Sequence, residues 1–508
     1  MSPITIDGKS LSLDQLVRVA IGGESVCLSP EACALIRAAR DVIESALATD
    51  AVIYGVTTGF GKLSDVRIPH DKLRDLQVNL LRSHACGVGE PLPEPEVRGA
   101  MLLRANSLAK GFSGVRLEVV ETLLELLNRR IHPVVPSRGS VGASGDLAPS
   151  AHMALVMIGE GEAVYQGNRL PGGEALQRAG LGAISLQAKE GLSLLNGTQF
   201  ITSVGGLAID RALTLAETAD FAGALSTEML LGTPAASDPR IQSVRPHPGQ
   251  ERVARRIRGF LRSSEIVASH RDCGRVQDAY SLRCIPQVHG AVHDALDHVA
   301  GVLARELNSA TDNPLVFAED REVLSGGNFH GAPLAHVLDY AAIVLTDLAG
   351  ISERRLERLV NPDLSGLPAF LAPEPGLTSG LMMLQVSAAA LVSECKVLAH
   401  PASVDSIPTS GNKEDHVSMG MTAALKLRTV VDHLETVLAC EILAGCQAME
   451  HRKALRPGEG TGPVYSLIRE IIPPLTADRP LSSDVESLRL LIRGRFRDTL
   501  RDPAIPRC

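Results

Sequence analysis

The amino-acid sequence predicts a mainly α-helical protein, a long helical bundle with a smaller mixed N-terminal head. Aromatic residues make up 3% of the 508 residues and tryptophan is absent, whereas β-strands are enriched in aromatic and β-branched side chains. Between Pro286 and Asn308, apolar residues recur every three to four positions, which is the spacing of a buried helix face. Several segments share this periodicity, so a bundle of long helices is expected.

The predicted elements follow in chain order. Residues 1–110 mix short apolar runs with glycine and proline, which predicts a head of short helices and strands, and residues 111–508 are predicted to form the bundle. Long helices are predicted at 286–308, from 333 to about 359, and from about 417 to 449. The last helix is predicted to open with a capping box, Ser483 to Glu486, and to continue to Phe496. Irregular stretches are expected at 232–250, 363–376 and 456–482.

Composition excludes several classes of protein. The net charge is −8, from 50 basic and 58 acidic residues without a basic run, so no nucleic-acid partner is expected. The N-terminus has no basic leader before an apolar stretch, and apolar runs such as 341–351 are too short and interrupted to predict a membrane span. Nine scattered cysteines without a C-x-x-C pair are typical of free thiols. A cytoplasmic globular protein without a membrane partner is therefore expected.

The most informative segment is GSVGASGDLAPSAHMALVMIGEG, residues 139–161. By itself, a glycine-rich turn before an apolar helix is ordinary. A hydrolase nucleophile elbow would require G-x-S-x-G, but Ser144 is followed by Gly145 and Asp146. The segment GVTTGFGK from Gly55 fails as a phosphate-binding loop, because its spacing is one residue too long.

The whole segment resembles the histidine and aromatic amino acid ammonia-lyase family, whose members share GSxGASGDLAPLAH. Further family motifs follow in order, so the resemblance covers essentially the whole chain. They are YGVTTGFG at Tyr54, RSHACGVG around His84, EGLSLLNGTQ around Asn196, QDAYSLRCIPQVHGA from Gln277, SATDNPLVF leading to SGGNFHG around Phe329, and HPASVDSIPTSGNKEDHVSM around Glu414.

The resemblance implies that Ala143, Ser144 and Gly145 cyclise to 4-methylidene-imidazol-5-one. The Gly145 nitrogen attacks the Ala143 carbonyl carbon, water leaves, and Ser144 then loses its hydroxyl to give an exocyclic methylene. The residue types suit this chemistry, because Gly145 lacks a Cβ that would resist a compressed turn and serine can dehydrate to an alkene. The group is in effect a built-in cofactor, so no external cofactor is expected.

The resemblance also implies a role for each further site residue. Tyr54 is expected to handle a proton, on a glycine-rich loop that acts as a lid. Arg283 is expected to hold the substrate carboxylate with both nitrogens of its guanidinium fork. The remaining motif residues are expected to line the site near the electrophile, with Tyr280 counted among the catalytic groups: Asn196, Gln277, Tyr280 and Phe329.

Two positions bear on the substrate. His84 excludes phenylalanine-specific relatives, which carry an apolar residue there, but tyrosine-specific relatives also carry histidine. Glu414 stands where relatives acting on phenylalanine or tyrosine typically have glutamine. A carboxylate can accept an imidazole N–H and stabilise positive charge, whereas a phenyl ring would not compensate its desolvation. The expected activity is that of a carbon–nitrogen lyase that converts L-histidine to trans-urocanate and ammonia, the first step of histidine degradation.

Some alternatives remain beside this interpretation. A tyrosine ammonia-lyase, an aromatic 2,3-aminomutase, or a catalytically silent structural homologue would keep the same motifs. The signature of the fumarase and aspartase group is absent. The sequence departs from the family at Ser150, commonly leucine, and at Lys413, commonly glutamine; a Lys413 side chain pointing into the pocket would weaken the histidine assignment.

Metal binding is not expected. His289 and His293 are four residues apart on a predicted helix, but no third ligand is evident, so core or surface histidines are predicted. The long apolar helices predict a homo-oligomer, and the resemblance implies a homotetramer whose active sites take residues from more than one subunit.

Overall fold

The computed structural model of the chain describes residues 3–49 and 52–496, and within them α-helices dominate, as predicted. The helices in chain order are α1 Leu13–Ala20, α2 Pro30–Ala48, α3 Leu73–His84, α4 Glu94–Ala109, α5 Leu117–Asn128, α6 Leu147–Met157, α7 Gly172–Arg178, α8 Glu190–Leu195, α9 Gln199–Met229, α10 Pro239–Ser243, α11 Pro248–Phe260, α12 Glu265–Ala268, α13 Tyr280–Arg283, α14 Ile285–Glu306, α15 Ala332–Val360, α16 Pro362–Ser365, α17 Met382–Leu398, α18 Gly420–Met449, α19 Thr461–Ile471 and α20 Ser482–Leu491.

The strands are short and form small separate sheets. They are β1 Ile4–Ile6, β2 Val26–Leu28, β3 Val88–Pro91, β4 His132–Pro133, β5 Pro136–Arg138, β6 Glu162–Tyr165, β7 Asn168–Pro171, β8 Leu315–Phe317 and β9 Glu322–Leu324. Strands β1 and β2 pair in parallel, with Ile4 opposite Val26. The pairs β3–β5 and β8–β9 and the three-stranded order β4-β6-β7 are antiparallel.

The chain divides into two compact units. The first comprises Met1–Asp210, Val299–Asp339 and Pro401–Leu425, and it contains all of the strands given above. The second comprises Arg211–His298, Tyr340–His400 and Lys426–Cys508, and its described residues contain helices but no strand. The predicted division near residue 110 falls inside the first unit and stays a prediction.

The three long helices predicted from apolar periodicity are present. Helix α14 runs from Ile285 to Glu306, α15 from Ala332 to Val360, and α18 from Gly420 to Met449. In α14 the apolar residues at the predicted spacing, such as Val292 and Val299, are buried. Burial of one apolar face stabilises each helix more than its intrinsic propensity does, which is why periodicity located them.

Two local predictions near the C-terminus are wrong. Helix α20 begins at Ser482 with Leu481 as its N-cap and without a side-chain capping bond. Ser483 therefore lies inside the first turn, where its hydroxyl donates to the Pro480 carbonyl oxygen over 3.4 Å instead of capping. The stretch 456–482, expected to be irregular, contains helix α19, because Val464 and Ile468 bury one face of it.

The expectation about membrane spans also needs correction. The run 341–351 lies in α15, whose 29 residues are long and apolar enough to cross a membrane by length and composition alone. Within its most apolar window, however, 56% of the residues are buried inside the protein. Burial of that extent is typical of a core helix of a globular protein.

His289 and His293 are core residues of the second unit. Both are buried, and His289 Nδ1 and His293 Nε2 each lie 3.0 Å from the carboxylate of Asp220. Burial alone would raise the pKa of Asp220, but the two histidines and the nearby Arg256 hold it well below its ordinary value. Arg355 Nη1 lies 3.2 Å from His289 Nε2 and pairs with Glu441. The histidines thus belong to a buried charge network.

His132, in β4, is expected to make the stability of the protein depend on pH. Arg98 donates to His132 Nε2 over 3.2 Å, so this nitrogen must be unprotonated. Burial, together with Arg98 and Arg130, lowers the pKa of His132 to about 4, from an ordinary 6.5. Since the folded pKa is the lower one, the stability that depends on neutral His132 is complete above pH 6.5 and is lost as the pH falls toward 4.

We expect the free energy of unfolding to fall by up to about 1.4 kcal/mol per pH unit in that window on account of this residue. The half-exposed Glu94 carboxylate, 3.3 Å from the same nitrogen, offsets part of the effect. Denaturant titrations at several pH values measure the free energy of unfolding. Between pH 6.5 and pH 4, this free energy should fall less steeply for His132→Gln than for the wild type. If the free energy of unfolding changed with pH equally in the two proteins, the role given to His132 would be contradicted.

Candidate active site

A cavity of about 880 Å³ in the first unit collects most of the predicted site residues. Seven of them line it: Tyr54, His84, Ala143, Ser144, Asn196, Phe329 and Glu414. They come from segments that are far apart in the chain, and Glu414 lies 270 residues beyond Ser144. The fold therefore brings residues of these separate sequence motifs to one cavity.

The Ala143–Ser144–Gly145 tripeptide lies in a tight turn immediately before α6. Gly145 has a φ of +76°, and a Cβ at this position would lie 2.1 Å from the Gly197 carbonyl oxygen. The Gly197 N–H donates to the Ser144 carbonyl over 3.2 Å, and the Asp146 N–H donates to the Gly197 carbonyl over 2.8 Å. Only glycine fits residue 145, both in conformation and in space.

Residues much later in the sequence of the first unit form hydrogen bonds with the two residues that precede the tripeptide. The Ser418 hydroxyl donates to the Gly142 carbonyl over 2.8 Å, and the Met419 N–H donates to the Val141 carbonyl over the same distance. The Gly331 N–H also donates to the Gly142 carbonyl, over 3.1 Å. The turn is thus fixed by tertiary contacts rather than by its local sequence.

Asp146 fixes the other side of the turn. Its carboxylate accepts from the Ser140 hydroxyl and from the Ile201 N–H, in the first turn of α9, both over 2.8 Å. Burial raises the pKa of Asp146 to about 6, although these hydrogen bonds oppose the rise. Asp146 thereby joins the start of α6 to the start of α9 beside the tripeptide.

Glu414 is the carboxylate that contacts the tripeptide. Its Oε1 accepts from the Ser144 hydroxyl over 2.9 Å, and its Oε2 accepts from the Thr409 hydroxyl over 2.5 Å. Both oxygens therefore have a donor, and the orientation of the carboxylate is fixed. The sequence motif predicted that Glu414 belongs to the site but could not give this contact.

His84 stands at the end of α3 in the same cavity. Its Nδ1 lies 2.9 Å from the Leu80 carbonyl oxygen, which can only accept, so Nδ1 carries the proton. Burial lowers the pKa of His84, and the charge of Glu414 opposes this only in part. A neutral His84 protonated on Nδ1 leaves Nε2 as a hydrogen-bond acceptor.

Tyr54 lies in a turn rather than in a strand. Its hydroxyl accepts from the Gly61 N–H over 3.3 Å, and its ring meets Phe60 edge-on with 6.5 Å between the centroids. A Cβ on Gly61 would lie 2.6 Å from the Ser410 hydroxyl oxygen, so the loop that carries Tyr54 packs against the loop that leads to Glu414. Motion of this loop as a lid stays a prediction.

Polar groups fix the side chain of Asn196 by hydrogen bonding. Its side-chain amide donates to the Asn313 carbonyl over 2.8 Å, and the adjacent Asp312 forms a buried ion pair of 2.9 Å with Lys189. Phe329 is half-buried at the cavity wall. The Asn196 side chain is therefore fixed by residues of the motif that precedes Phe329.

The structure adds cavity residues that sequence reasoning missed. His330 and His416 line the cavity with nearly parallel rings, 5.9 Å apart and inclined by 3°. Each lies one or two positions from a predicted residue, which was the available signal. Lys413 also lines the cavity. Glu414 therefore stands next to a cation, the situation that weakens the argument for histidine from Glu414 alone.

Three predicted residues belong to the second unit and do not line this cavity, although all three are described. Gln277 and Tyr280 are exposed, Tyr280 to 69%. The Arg283 guanidinium lies 4.6 Å from the centre of the Tyr280 ring, and its Nε is buried without a hydrogen-bond partner. The cavity of the first unit, as described, therefore lacks the expected carboxylate-binding group among its lining residues.

Comparison with known proteins gives the relationship of the chain. The model of the aromatic amino acid lyase family matches residues 11–470. A histidine ammonia-lyase from Koribacter versatilis is 56% identical over 507 residues, covering 97% of this chain and 98% of that protein. A histidine ammonia-lyase from Caldanaerobacter subterraneus is 52% identical and covers 99% of both chains.

Solved structures share the fold over nearly the whole length. Histidine ammonia-lyase from Trypanosoma cruzi superposes with a TM-score of 0.93 at 44% identity, covering 99% of this chain and 96% of that one. A tyrosine aminomutase from Streptomyces globisporus superposes with the same TM-score at 37% identity, covering 98% of each chain. On the family match and on this similarity over nearly its full length, the chain belongs to the aromatic amino acid lyase family.

Proposed function

We propose that this protein eliminates ammonia from L-histidine and releases trans-urocanate. The observation that carries the proposal is the 2.9 Å hydrogen bond from the Ser144 hydroxyl to Glu414 inside the cavity. It places a carboxylate that can accept an imidazole N–H directly beside the tripeptide. The many relatives at 52–56% identity that are named histidine ammonia-lyases support the same substrate.

The electrophile of this proposal is 4-methylidene-imidazol-5-one, formed from Ala143, Ser144 and Gly145, and the residues present fit it. The turn is compressed at Gly145, where a Cβ would meet Gly197, and Ser144 supplies the hydroxyl that is lost. When formed, the group supplies an electrophile that captures the substrate amine and makes it a better leaving group. Loss of the Ser144 hydroxyl would also free Glu414 Oε1 for the substrate imidazole.

We assign removal of the β-proton to Tyr54 and Glu414, both of which line the cavity. Elimination from an unactivated carbon needs a base within hydrogen-bond reach of the proton. The Thr409 hydroxyl keeps the Glu414 carboxylate in place by bonding its second oxygen. His84, neutral and with a free acceptor at Nε2, is assigned to bind the substrate. Asn196 and Phe329 are assigned to line the site.

We propose that the active enzyme is a homotetramer in which Gln277, Tyr280 and Arg283 of neighbouring copies complete the cavity. These residues lie outside the cavity of their own chain. Two observations support this: Tyr280 is largely exposed, and the buried Nε of Arg283 has no hydrogen-bond partner among the described residues. A guanidinium supplied in this way could bind both oxygens of the substrate carboxylate.

The second candidate is a tyrosine ammonia-lyase or an aromatic 2,3-aminomutase. The specific observation in its favour is the tyrosine aminomutase structure, which superposes as well as the histidine enzyme does. His84 would also suit a phenolic hydroxyl. Glu414 disfavours these activities, because a phenyl or phenol ring offers the carboxylate less compensation for its desolvation than an imidazole does.

We expect the purified protein to convert L-histidine to a product with the near-ultraviolet absorbance of urocanate, and to leave L-tyrosine and L-phenylalanine unchanged. The three amino acids are incubated in parallel, and the products are identified by chromatography and mass. A product from tyrosine alone would establish the second candidate, and a β-amino acid would identify an aminomutase. Inertness toward all three substrates would contradict both candidates.

We place the enzyme in the cytoplasm. The eight cysteines within the described residues are all free thiols, and Cys508 lies outside those residues. Free cysteines spread over a chain are typical of a reducing compartment.

A further inference from the structure

Helix α4 carries two arginines that are almost completely buried, and neither lines the cavity. Arg98 is 2% exposed and Arg104 is 1% exposed. Burial of a cation is costly unless hydrogen bonds and charges replace its water. The hydrogen-bond acceptors of each guanidinium therefore indicate which segment of the chain that arginine fixes in place.

Arg104 binds the end of helix α8. One guanidinium nitrogen, Nη1, donates to the Ser193 carbonyl over 3.0 Å and to the Asn196 carbonyl. The other, Nη2, donates to the Leu195 carbonyl over 3.2 Å. The last carbonyls of a helix lack intrahelical partners and carry partial negative charge, so a cation is favourable there.

The fourth acceptor of Arg104 is the Ser150 hydroxyl, 3.2 Å from Nη2. Ser150 is fully buried near the start of α6, four residues after Asp146. Burial lowers the pKa of Arg104 to about 10, so the guanidinium remains charged at neutral pH. The serine, found where relatives commonly carry leucine, thus adds a side-chain acceptor to the three backbone carbonyls around this buried cation, whose Nε has no hydrogen-bond partner among the described residues.

The Asn196 carbonyl belongs to the same peptide group as the Gly197 N–H. That N–H donates to the Ser144 carbonyl over 3.2 Å. A cation bonded to the oxygen of a peptide group polarises it and makes its N–H a stronger donor. Arg104 thus reaches the central residue of the tripeptide through one peptide group, while the Asn196 side chain lines the cavity.

We infer that Arg104, held in part by Ser150, is a positioning residue for the electrophile: it fixes the Asn196–Gly197 peptide group so that its N–H remains hydrogen-bonded to the Ser144 carbonyl. This inference rests on the proposed function. The Ser144 carbonyl oxygen would become the ring carbonyl after cyclisation, and a donor there withdraws electrons from the conjugated methylene. The same bond holds the turn while the Gly145 nitrogen approaches the Ala143 carbonyl.

Arg98 offers a matched control on the same helix. It donates to the Val19 carbonyl over 2.9 Å, to the Leu127 carbonyl over 3.1 Å and to His132. None of these three acceptors lines the cavity. Ser203 is the matching control for Ser150, because it is equally buried and its hydroxyl donates to the Glu96 carbonyl over 2.7 Å.

The experiment compares Arg104→Lys with Arg98→Lys, and Ser150→Ala with Ser203→Ala, in the full-length protein. Intact mass and near-ultraviolet absorbance measure how completely each chain has lost two water molecules. Steady-state kinetics with L-histidine measure kcat and KM separately, and thermal unfolding measures stability.

We expect Arg104→Lys to cyclise incompletely, and its kcat per cyclised site to fall about tenfold with little change in KM, because a donor to the reacting group is weakened rather than removed. Ser150→Ala should lower kcat about threefold. Both controls, Arg98→Lys and Ser203→Ala, should cyclise fully and keep the wild-type kcat, even where their thermal stability falls as much as that of Arg104→Lys or Ser150→Ala. Complete cyclisation with wild-type kcat in Arg104→Lys and Ser150→Ala would overturn the inference, as would equal losses in the controls. A wild-type protein with no loss of water would instead overturn the proposed function.

Discussion

Replacing Ser144 with alanine is expected to abolish ammonia elimination while leaving the protein folded. Alanine has no hydroxyl to lose, so the proposed electrophile cannot form. We expect a loss of kcat on the order of a thousandfold or more, as when an essential covalent catalyst is removed from other enzymes. The change removes one hydrogen bond, to Glu414, so the free energy of unfolding should change by only about 1 kcal/mol.

Intact mass provides the internal control, since this variant should retain the mass of its unprocessed sequence. Co-expression with Arg283→Met then tests whether subunits share active sites. Each single variant should be inactive, whereas mixed oligomers should regain part of the activity at sites that combine an intact Ser144 with an intact Arg283. Turnover by Ser144→Ala alone at the wild-type rate would refute the mechanism, and failure of mixed oligomers to regain activity would refute the shared site.

Replacing Glu414 with glutamine is expected to lower kcat for L-histidine by about 10²–10⁴-fold, the usual contribution of a positioned acid or base. Glutamine keeps an oxygen that can accept from the Ser144 hydroxyl, as Glu414 Oε1 does over 2.9 Å. Cyclisation, followed by intact mass, should therefore be retained. The loss would then report on the substrate step alone, measured as initial rates of urocanate formation.

Glu306→Gln is the matched control for that variant. Glu306 is a half-buried carboxylate of the same unit that accepts a hydrogen bond from Thr198 and does not line the cavity. Burial raises its pKa, so replacement by a neutral amide should be well tolerated. Wild-type turnover of histidine by Glu414→Gln would remove Glu414 from the mechanism, and with it the argument from Glu414 against tyrosine as an additional substrate.

Sequence periodicity located the long helices well because each of them buries one apolar face. The predicted 286–308 and the observed Ile285–Glu306 differ by only a few residues. Helix ends were less predictable, since they depend on a few local contacts. Ser483 has the sequence pattern of a cap, yet α20 starts at Ser482 and uses Leu481. A one-residue shift of the start is enough to make a capping side chain useless.

The residues of the candidate site likewise include some that the sequence predicted and some that it could not predict. The family motifs predicted seven of the residues that line the cavity, whereas Gln277, Tyr280 and Arg283 do not line it. The motifs could not identify Arg104, because an arginine in a helix is usually a solvated surface residue. Only the tertiary structure shows that it is 1% exposed and bound to the carbonyls around Asn196. His330 and His416 were missed for a related reason, since their parallel stacking joins two distant segments.

The turn that holds the tripeptide is closed by partners far along the chain: Gly145 meets Gly197, and Gly142 accepts from Ser418. During synthesis on the ribosome, the tripeptide emerges long before residue 418 exists, so its compressed geometry cannot yet be held. The proposed electrophile, which would react with free amines and thiols, is thereby withheld until the surrounding protein has closed around it. If the electrophile forms as proposed, newly made or misfolded chains would not carry it, and it would arise only after the surrounding protein has folded.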